Sequence, residues 1–213
     1  MKGYIFDLDG TLLDSMSVWD NIGIDFLKAR GITPPPDYMD AIFPMSFEQS
    51  AAYTIARFGL PDSPGSLMRA WNEMAAHAYG NTVQMKPGAK EYLFALRGRG
   101  VRLAVATSLS GALYRPALRR HGIDQLFDVI CGAEEVPCSK SRPDIFLLCA
   151  RQLGLRPSEC VVFEDLLGAV ESAKSIGMRV IGVYDQSSEK DWARIKQRAD
   201  SVIYSFRDAP VPE

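Results

Sequence analysis

The stretch GYIFDLDGT, residues 3–11, decides the fold. It begins with aromatic and β-branched residues, which favour a β-strand. Asp7 and Asp9 follow at once, and residues two apart in an extended chain face the same way. Both carboxylates therefore point into one space at the carboxyl end of a strand, which is where open α/β sheets bind ligands.

Five further apolar runs resemble the first one, and helix-like segments alternate with them. These runs span residues 102–106, 129–131, 160–163, 179–183 and 201–204. Near-continuous apolar character is typical of strands that are buried on both faces. Strands that alternate with helices predict an α/β fold, in which a parallel sheet core carries helices on both faces.

One segment interrupts this alternation, since residues 15–85 contain helical patterns and no convincing strand. Ser46 and Gln49 match a capping box, which marks the start of a helix. The apolar stripe of that helix is formed by Ala52, Ile55 and Phe58. We therefore expect two domains, an α/β core of residues 1–14 and 86–213 and an inserted all-helical domain of residues 15–85.

A second acid pair, Glu164 and Asp165, follows the strand that is predicted at residues 160–163. Together with Asp7 and Asp9, these residues place four carboxylates at one edge of the sheet. Carboxylates that lie this close together repel one another unless a cation lies between them. Hard carboxylate oxygens suit Mg²⁺, which keeps several coordination positions for water and phosphate. The sequence therefore predicts a magnesium site.

Two hydroxyl groups and a lysine follow the neighbouring strands. Thr107 and Ser108 end the run at residues 102–106, where a hydroxyl and the N–H groups of the next helix can hold a phosphate oxygen. Ser and Thr also serve widely as ordinary N-caps, so this signal is weak by itself. Lys140 is a stronger candidate than a lone loop lysine, because the clustered acids need a positive charge nearby to coexist with a phosphate dianion.

The composition is that of an ordinary globular protein, with 47% hydrophobic residues, 23% charged residues and a formal net charge of -2. No basic stripe indicates a nucleic-acid partner, and no apolar stretch approaches the ~20 residues of a membrane-spanning helix. The four cysteines form no Cys-x-x-Cys pair, so we expect reduced thiols rather than zinc ligands. Since residues 1–6 show no signal-peptide core, we predict a cytoplasmic protein. The oligomeric state is not indicated.

Four motifs in a fixed order resemble those of the haloacid dehalogenase (HAD) superfamily. They are Asp7-Leu8-Asp9-Gly10-Thr11, Thr107, Lys140 with Pro143-Asp144-Ile145-Phe146, and Phe163-Glu164-Asp165. Within that superfamily the chain is similar to the β-phosphoglucomutase-like phosphatases, which have a Rossmann-like core and an inserted helical cap. The resemblance covers nearly the whole chain. It implies a Mg²⁺-dependent phosphatase of a small phosphorylated metabolite, such as a sugar phosphate, that forms an aspartyl-phosphate intermediate.

The resemblance also implies a role for each matching position. Asp7 is the expected nucleophile and a metal ligand. Asp9 is the expected general acid and base, with its backbone carbonyl on the metal, and Glu164 and Asp165 are expected to anchor the metal. The expected phosphate holders are Thr107 and Lys140, and further candidate substrate contacts are Thr11, Ser108, Trp19, Phe43, Met45 and Phe47.

Three departures from the family pattern leave alternatives open. Mutase relatives carry a cap arginine that grips a second phosphate, and Phe47 stands in its place. The usual Gly-Lys-Pro reads Ser139-Lys140-Ser141, and Pro116 is expected to delay or kink the helix after Thr107. A sugar-phosphate mutase is the first alternative, which Phe47 disfavours. A phospho-accepting receiver module is the second, which the Asp-x-Asp pair and the large insertion disfavour.

Overall fold

The computed structural model describes residues 1–42 and 45–211, and its elements follow the predicted alternation of strands and helices. In chain order they are β1 (Gly3–Phe6), β2 (Leu13–Asp14), α1 (Met16–Ala29), α2 (Tyr38–Ile42), α3 (Phe47–Phe58), α4 (Pro64–Asn81), β3 (Gln84–Met85), α5 (Ala89–Gly98), β4 (Arg102–Ala106), α6 (Gly111–His121), β5 (Val129–Cys131), α7 (Asp144–Gln152), β6 (Cys160–Glu164), α8 (Leu167–Ser175), β7 (Arg179–Val183), α9 (Trp192–Arg198) and β8 (Ser201–Ile203). The chain divides into two units, residues 1–15 with residues 83 onward, and residues 16–82. These limits lie close to the expected boundaries at residues 15 and 85.

The first unit is built on a six-stranded parallel sheet with the strand order β5-β4-β1-β6-β7-β8. On one face, Ile5 belongs to a buried cluster with residues of α7, α8 and α9. On the other face, the ring of Phe6 stacks on that of Phe163 and meets Tyr92 of α5 edge-on. The central strands are therefore covered on both faces, as their apolar composition requires. The prediction of an α/β fold with a parallel sheet core is confirmed.

The strand β1 lies in the middle of this sheet, between β4 and β6, and Phe6 is level with Phe163. Because the three strands are parallel, the chain leaves them at the same edge of the sheet. Residues from three separate sequence motifs, Asp7, Thr107 and Glu164, are brought side by side there.

The two segments that connect the units form a small ribbon, which the sequence pattern did not indicate. The strands β2 and β3 are antiparallel, and Leu13 pairs with Met85. The next residue, Lys86, donates its ammonium group to Asp185 Oδ2 at 2.5 Å and to the Tyr184 carbonyl at 3.2 Å. This partly buried ion pair fastens the ribbon to the loop that follows β7.

Helix α3 buries a different face from the one that its apolar residues predicted. The predicted capping box at its start is present, but the buried residues are Ser50, Ala51 and Thr54. Ala52, which belonged to the predicted stripe, is exposed. The Thr54 hydroxyl donates to the Ser50 carbonyl at 2.7 Å and lies 2.8 Å from the Tyr38 hydroxyl oxygen. Because buried hydroxyls with partners are tolerated, a polar face can turn inward.

Pro116 does not delay the start of α6, and the kink that it was alternatively expected to cause stays a prediction. The helix begins at Gly111 and ends at His121, with Pro116 in its interior. The proline lacks the N–H group that would donate to the Ala112 carbonyl. Ala112 is exposed, so water can replace this donor.

Two simple expectations concern the cysteines and membranes. Cys131, Cys138, Cys149 and Cys160 are free, and all but Cys138 are buried, as expected for reduced core thiols. Among the described residues, no helix combines the length and the apolar character that crossing a membrane requires. The cytoplasmic location stays a prediction.

Candidate active site

The Lys140 ammonium group lies between two carboxylates that come from different strands. Its Nζ is 2.6 Å from Asp7 Oδ1, and it also donates to Glu164 Oε1. The other oxygen of Glu164 accepts the backbone N–H groups of Asp165 at 2.9 Å and Leu166 at 3.0 Å. The side chains of Asp7, Lys140 and Glu164 are all buried. One cation thus joins the loops that follow β1 and β6 to the loop before α7.

Asp165 completes a cluster of three buried carboxylates. One oxygen from each of Asp7, Glu164 and Asp165 lies within 4.8 Å of the others. Thr11 Oγ1 donates to Asp165 Oδ1 at 2.9 Å. Asp165 Oδ2, in contrast, is buried and has no hydrogen-bond partner among the described residues. A buried carboxylate oxygen without a donor is unfavourable, which fits a position designed to face a cation.

Gly10 is the residue that lets this carboxylate approach the first loop. Its φ of 73° lies in the left-handed region, which favours glycine. A Cβ atom at Gly10 would lie 2.4 Å from Asp165 Oδ2, so any side chain would displace the carboxylate. Gly10 of the first motif is therefore required because Asp165 of the last motif occupies the space that a side chain would need.

The charge of Lys140 does not balance the three carboxylates. If all three are ionised, they exceed the single ammonium group by two negative charges. Burial raises the pKa of Asp7 to about 8, with Lys140 opposing and Glu164 and Asp9 adding to the shift. Burial also raises the pKa of Asp165 well above its usual range, and Glu164 and Asp7 add to this. Burial lowers the pKa of Lys140, but Asp7 and Glu164 outweigh it and raise that pKa. An all-oxygen site with this excess charge fits a hard divalent cation.

Asp9 is oriented by a residue that the sequence did not single out. Among the described residues, the cluster of converging carboxylates consists of Asp7, Glu164 and Asp165 and does not include Asp9. Ser15 Oγ donates to Asp9 Oδ1 at 2.6 Å, and Ser15 is fully buried. The spacing of six residues matches neither a helical nor a strand repeat, so no local pattern could have identified Ser15.

Thr107 and Ser108 lie on a cavity of about 290 Å³ that also reaches Lys140 and Ala133. The Thr107 side chain is buried, whereas Ser108 is exposed. Thr107 Oγ1 accepts the Leu109 N–H group at 3.1 Å, which leaves the hydroxyl proton free to be donated. This arrangement can hold a phosphate oxygen beside the Lys140 ammonium group.

Two further candidates, Trp19 and Phe47, lie in the helical unit. Trp19 Nε1 donates to the Tyr79 hydroxyl at 2.9 Å, and the Trp19 ring meets Phe47 edge-on. The Phe47 ring also packs against Trp71, with ring centroids 5.4 Å apart. Phe47 is thus half-buried in an aromatic cluster of its own unit. The candidate Phe43 lies outside the described residues.

Comparisons with known proteins show the family of the chain. The family model of the haloacid dehalogenase-like hydrolases matches residues 4–183. The chain belongs to this family. A probable pseudouridine-5'-phosphatase from Drosophila melanogaster is 31% identical over 220 residues, which cover 96% of this chain and 89% of that protein. Hexitol phosphatase A from Escherichia coli strain K12 is 31% identical over 210 residues, which cover 99% and 94%. A crystal structure from Thermotoga maritima, described as a "putative beta-phosphoglucomutase", superposes with a TM-score of 0.84 at 25% identity, over 95% of this chain and 94% of that one.

The resemblance that the four motifs predicted is confirmed, and with it the prediction of a phosphatase-type hydrolase. The match continues through the inserted unit, which disfavours a receiver module. The roles of the individual site residues stay predictions. One of them needs revision, because the Thr11 hydroxyl is fully buried and donates to Asp165. Its contacts are not those of a substrate-binding residue.

Proposed function

We propose that the chain is a Mg²⁺-dependent phosphatase that hydrolyses a sugar phosphate or a similar small metabolite through a covalent aspartyl-phosphate on Asp7. The proposal is carried by the buried cluster of Asp7, Glu164 and Asp165 around Lys140, with one oxygen of Asp165 left without a donor. The two relatives, a probable pseudouridine-5'-phosphatase and a hexitol phosphatase, support this substrate class.

The proposed metal site uses the three converging carboxylates and, as the resemblance implies, the backbone carbonyl of Asp9. When bound, Mg²⁺ would supply positive charge that neutralises the carboxylates and the phosphate oxygens. Thr11 and Gly10 act on this site indirectly, since one holds an oxygen of Asp165 and the other leaves room for it.

In the first half-reaction, a carboxylate oxygen of Asp7 forms a bond to phosphorus while the bond from phosphorus to the sugar oxygen breaks. Asp9 donates its proton to that sugar oxygen, which leaves as an alcohol. The Ser15 hydroxyl, 2.6 Å from Asp9 Oδ1, fixes the orientation of the acid. The Lys140 ammonium group and the Thr107 hydroxyl hold the oxygens of the transferred phosphoryl group.

In the second half-reaction, the ionised Asp9 takes a proton from a water molecule, whose oxygen attacks phosphorus. The bond between phosphorus and Asp7 breaks, and inorganic phosphate leaves. Asp7 is then again a carboxylate and Asp9 again carries a proton, so the cycle is closed. Asp9 serves first as acid and then as base, because it faces the sugar oxygen in the first half-reaction and the water oxygen in the second.

A sugar-phosphate mutase is the second candidate, which the similarity to the Thermotoga maritima structure favours. Phe47 argues against it. Its ring packs with Trp19 and Trp71, which supports an apolar role for this position and not a grip on a second phosphate. Within the proposal, Trp19 and Phe47 stay candidate substrate contacts.

The test is phosphate release from a panel of phosphorylated sugars, sugar alcohols and nucleoside monophosphates, with Mg²⁺ and with excess EDTA. We expect turnover with Mg²⁺, its loss in EDTA and its recovery when Mg²⁺ is restored. Full turnover in EDTA would remove the metal from the proposal. β-Glucose 1-phosphate, supplied with glucose 1,6-bisphosphate, should release phosphate. Formation of glucose 6-phosphate at a higher rate than phosphate release would show a mutase in place of the proposed phosphatase.

A further inference from the structure

The amino terminus of α6 is occupied by a carboxylate of the protein itself. The N–H group of Gly111, the first residue of α6, donates to Glu134 Oε1 at 3.0 Å. Glu134 lies in the segment after β5, and the preceding Ala133 donates its N–H group to the Leu109 carbonyl at 3.0 Å. Two contacts thus fasten the Glu134 segment to the loop that starts at Thr107.

This position matters because α6 follows directly on the residues that are proposed to hold the phosphate. The helix has 11 residues, and the N–H groups of its first turn carry partial positive charge that attracts anions. A second phosphate or a carboxylate on the substrate would be drawn there if the terminus were free. Glu134 instead places a negative charge at that point. The cavity of about 290 Å³ beside it extends from Ala133 and Ser108 to Lys140.

Two further charged residues lie near the Glu134 segment. Glu135 accepts the Gly132 N–H group at 2.7 Å, so a second carboxylate lies on the same segment. Arg115 lies beside the first residue of α6, since a Cβ atom built on Gly111 would lie 3.1 Å from its Nε. Glu134 is the carboxylate that accepts a hydrogen bond from that residue.

We propose that Glu134 is a specificity-determining residue that disfavours substrates with a second anionic group beside the transferred phosphate. The proposal rests on the phosphatase function and defines its substrate class as monophosphates whose leaving group is uncharged. The Glu134 carboxylate removes the attraction of the helix terminus and repels a second anion. The hydroxyl groups of a neutral sugar are not repelled, because they carry no charge.

The test compares wild type with Glu134→Gln, in which the amide oxygen can still accept the Gly111 N–H group but the charge is gone. The measured quantity is the ratio of kcat/KM for fructose 1,6-bisphosphate to that for fructose 1-phosphate, which differ by one phosphate. We expect the ratio to rise roughly threefold or more at low ionic strength and to rise less when salt is added. Where turnover of these sugars is too slow, the ratio comes from their inhibition constants against 4-nitrophenyl phosphate. Glu135→Gln is the matched control, because it removes the neighbouring charge away from the helix terminus.

An unchanged ratio in Glu134→Gln, or an equal rise in Glu135→Gln, would overturn the role of Glu134. A wild type that hydrolyses no phosphate monoester would overturn the proposed function, whatever the variants do. Thermal unfolding of each variant shows whether the fold is retained, so that a ratio is compared only between folded proteins.

Discussion

Replacement of Asp7 with asparagine is expected to abolish turnover and to make the metal-free protein more stable. The side chain of Asp7 is 3% exposed, and burial raises its pKa from 3.8 to about 8. The unfolded chain ionises near the ordinary value, so the metal-free folded protein loses stability as the pH rises from 3.8 towards 8. Asparagine keeps an oxygen that can accept a hydrogen bond from Lys140 but carries no charge.

The structure sets the size of this effect. Each pH unit between the two pKa values contributes about 1.4 kcal/mol, so the destabilisation at pH 7 is at most about 4 kcal/mol. Part of it remains in the variant, because Glu164 and Asp165 still repel each other, and we therefore expect a gain of about 1–3 kcal/mol. In a chain of this size 1 kcal/mol shifts Tm by about 2–4 °C, so the Asp7→Asn variant should unfold roughly 2–12 °C above wild type in EDTA.

Circular dichroism thermal unfolding in EDTA, at several pH values between about 6 and 8, measures this difference. The gap should widen as the pH rises, since only wild type loses stability through ionisation of Asp7. Mg²⁺ should raise the Tm of wild type more than that of the variant, because it binds the intact site more tightly. Asp14→Asn, at an exposed position on β2, is the control and should leave Tm unchanged. A lower Tm for Asp7→Asn in EDTA, or a gap that does not change with pH, would refute the reasoning.

In single-turnover measurements, Asp9→Asn is expected to slow release of the sugar from a sugar phosphate about 10²–10⁴-fold, and release of 4-nitrophenol from 4-nitrophenyl phosphate much less, because a phenolate leaves without a proton. Equal losses in this leaving-group step would assign Asp9 another role, whereas the second half-reaction should slow for both substrates. Lys86→Met should lower Tm by roughly 2–12 °C, because it removes the cation from the buried Asp185 carboxylate in a partly buried pair, which costs about 1–3 kcal/mol, whereas Lys2→Met, in an exposed pair, should change Tm little. Burial raises the pKa of Asp185, but hydrogen bonds from Lys86 and Ser187 outweigh it and lower that pKa. The stability that this pair contributes is present above 3.8 and is lost as the pH falls through the lowered pKa of Asp185. An unchanged Tm for Lys86→Met would show that the pair does not hold the ribbon.

The edge of the sheet that carries the proposed active site could be predicted from the sequence because its residues lie at or directly after the ends of strands. Asp7 and Thr107 each follow an apolar run, and Glu164 ends one. A parallel sheet brings such ends together however far apart they lie in the chain. The prediction therefore needed only the strands and their direction, which the buried apolar runs indicate.

The hydroxyl groups that orient the acids could not be predicted in the same way. Thr11 donates to Asp165, which lies 154 residues away, and Ser15 donates back across a loop to Asp9. Neither spacing belongs to a helix or a strand, so it depends on the path of the loop in space. Thr54 in α3 shows the same difficulty. Its hydroxyl is buried, but a search for periodic apolar residues assigns a threonine to the exposed face of a helix.

The first motif supports the last motif as well as carrying the proposed catalytic acids. Gly10 leaves the space that Asp165 Oδ2 occupies, and Thr11 holds the other oxygen of the same carboxylate. The turn that presents them is closed by the N–H groups of Thr11 and Leu13, which donate to the Leu8 carbonyl at 3.2 Å and 2.8 Å. The two residues after Asp9 are therefore constrained by Asp165, which directly follows another strand. A side chain at position 10, or the loss of the hydroxyl at position 11, would act first on the Asp165 carboxylate, and hence on the proposed metal site before the substrate.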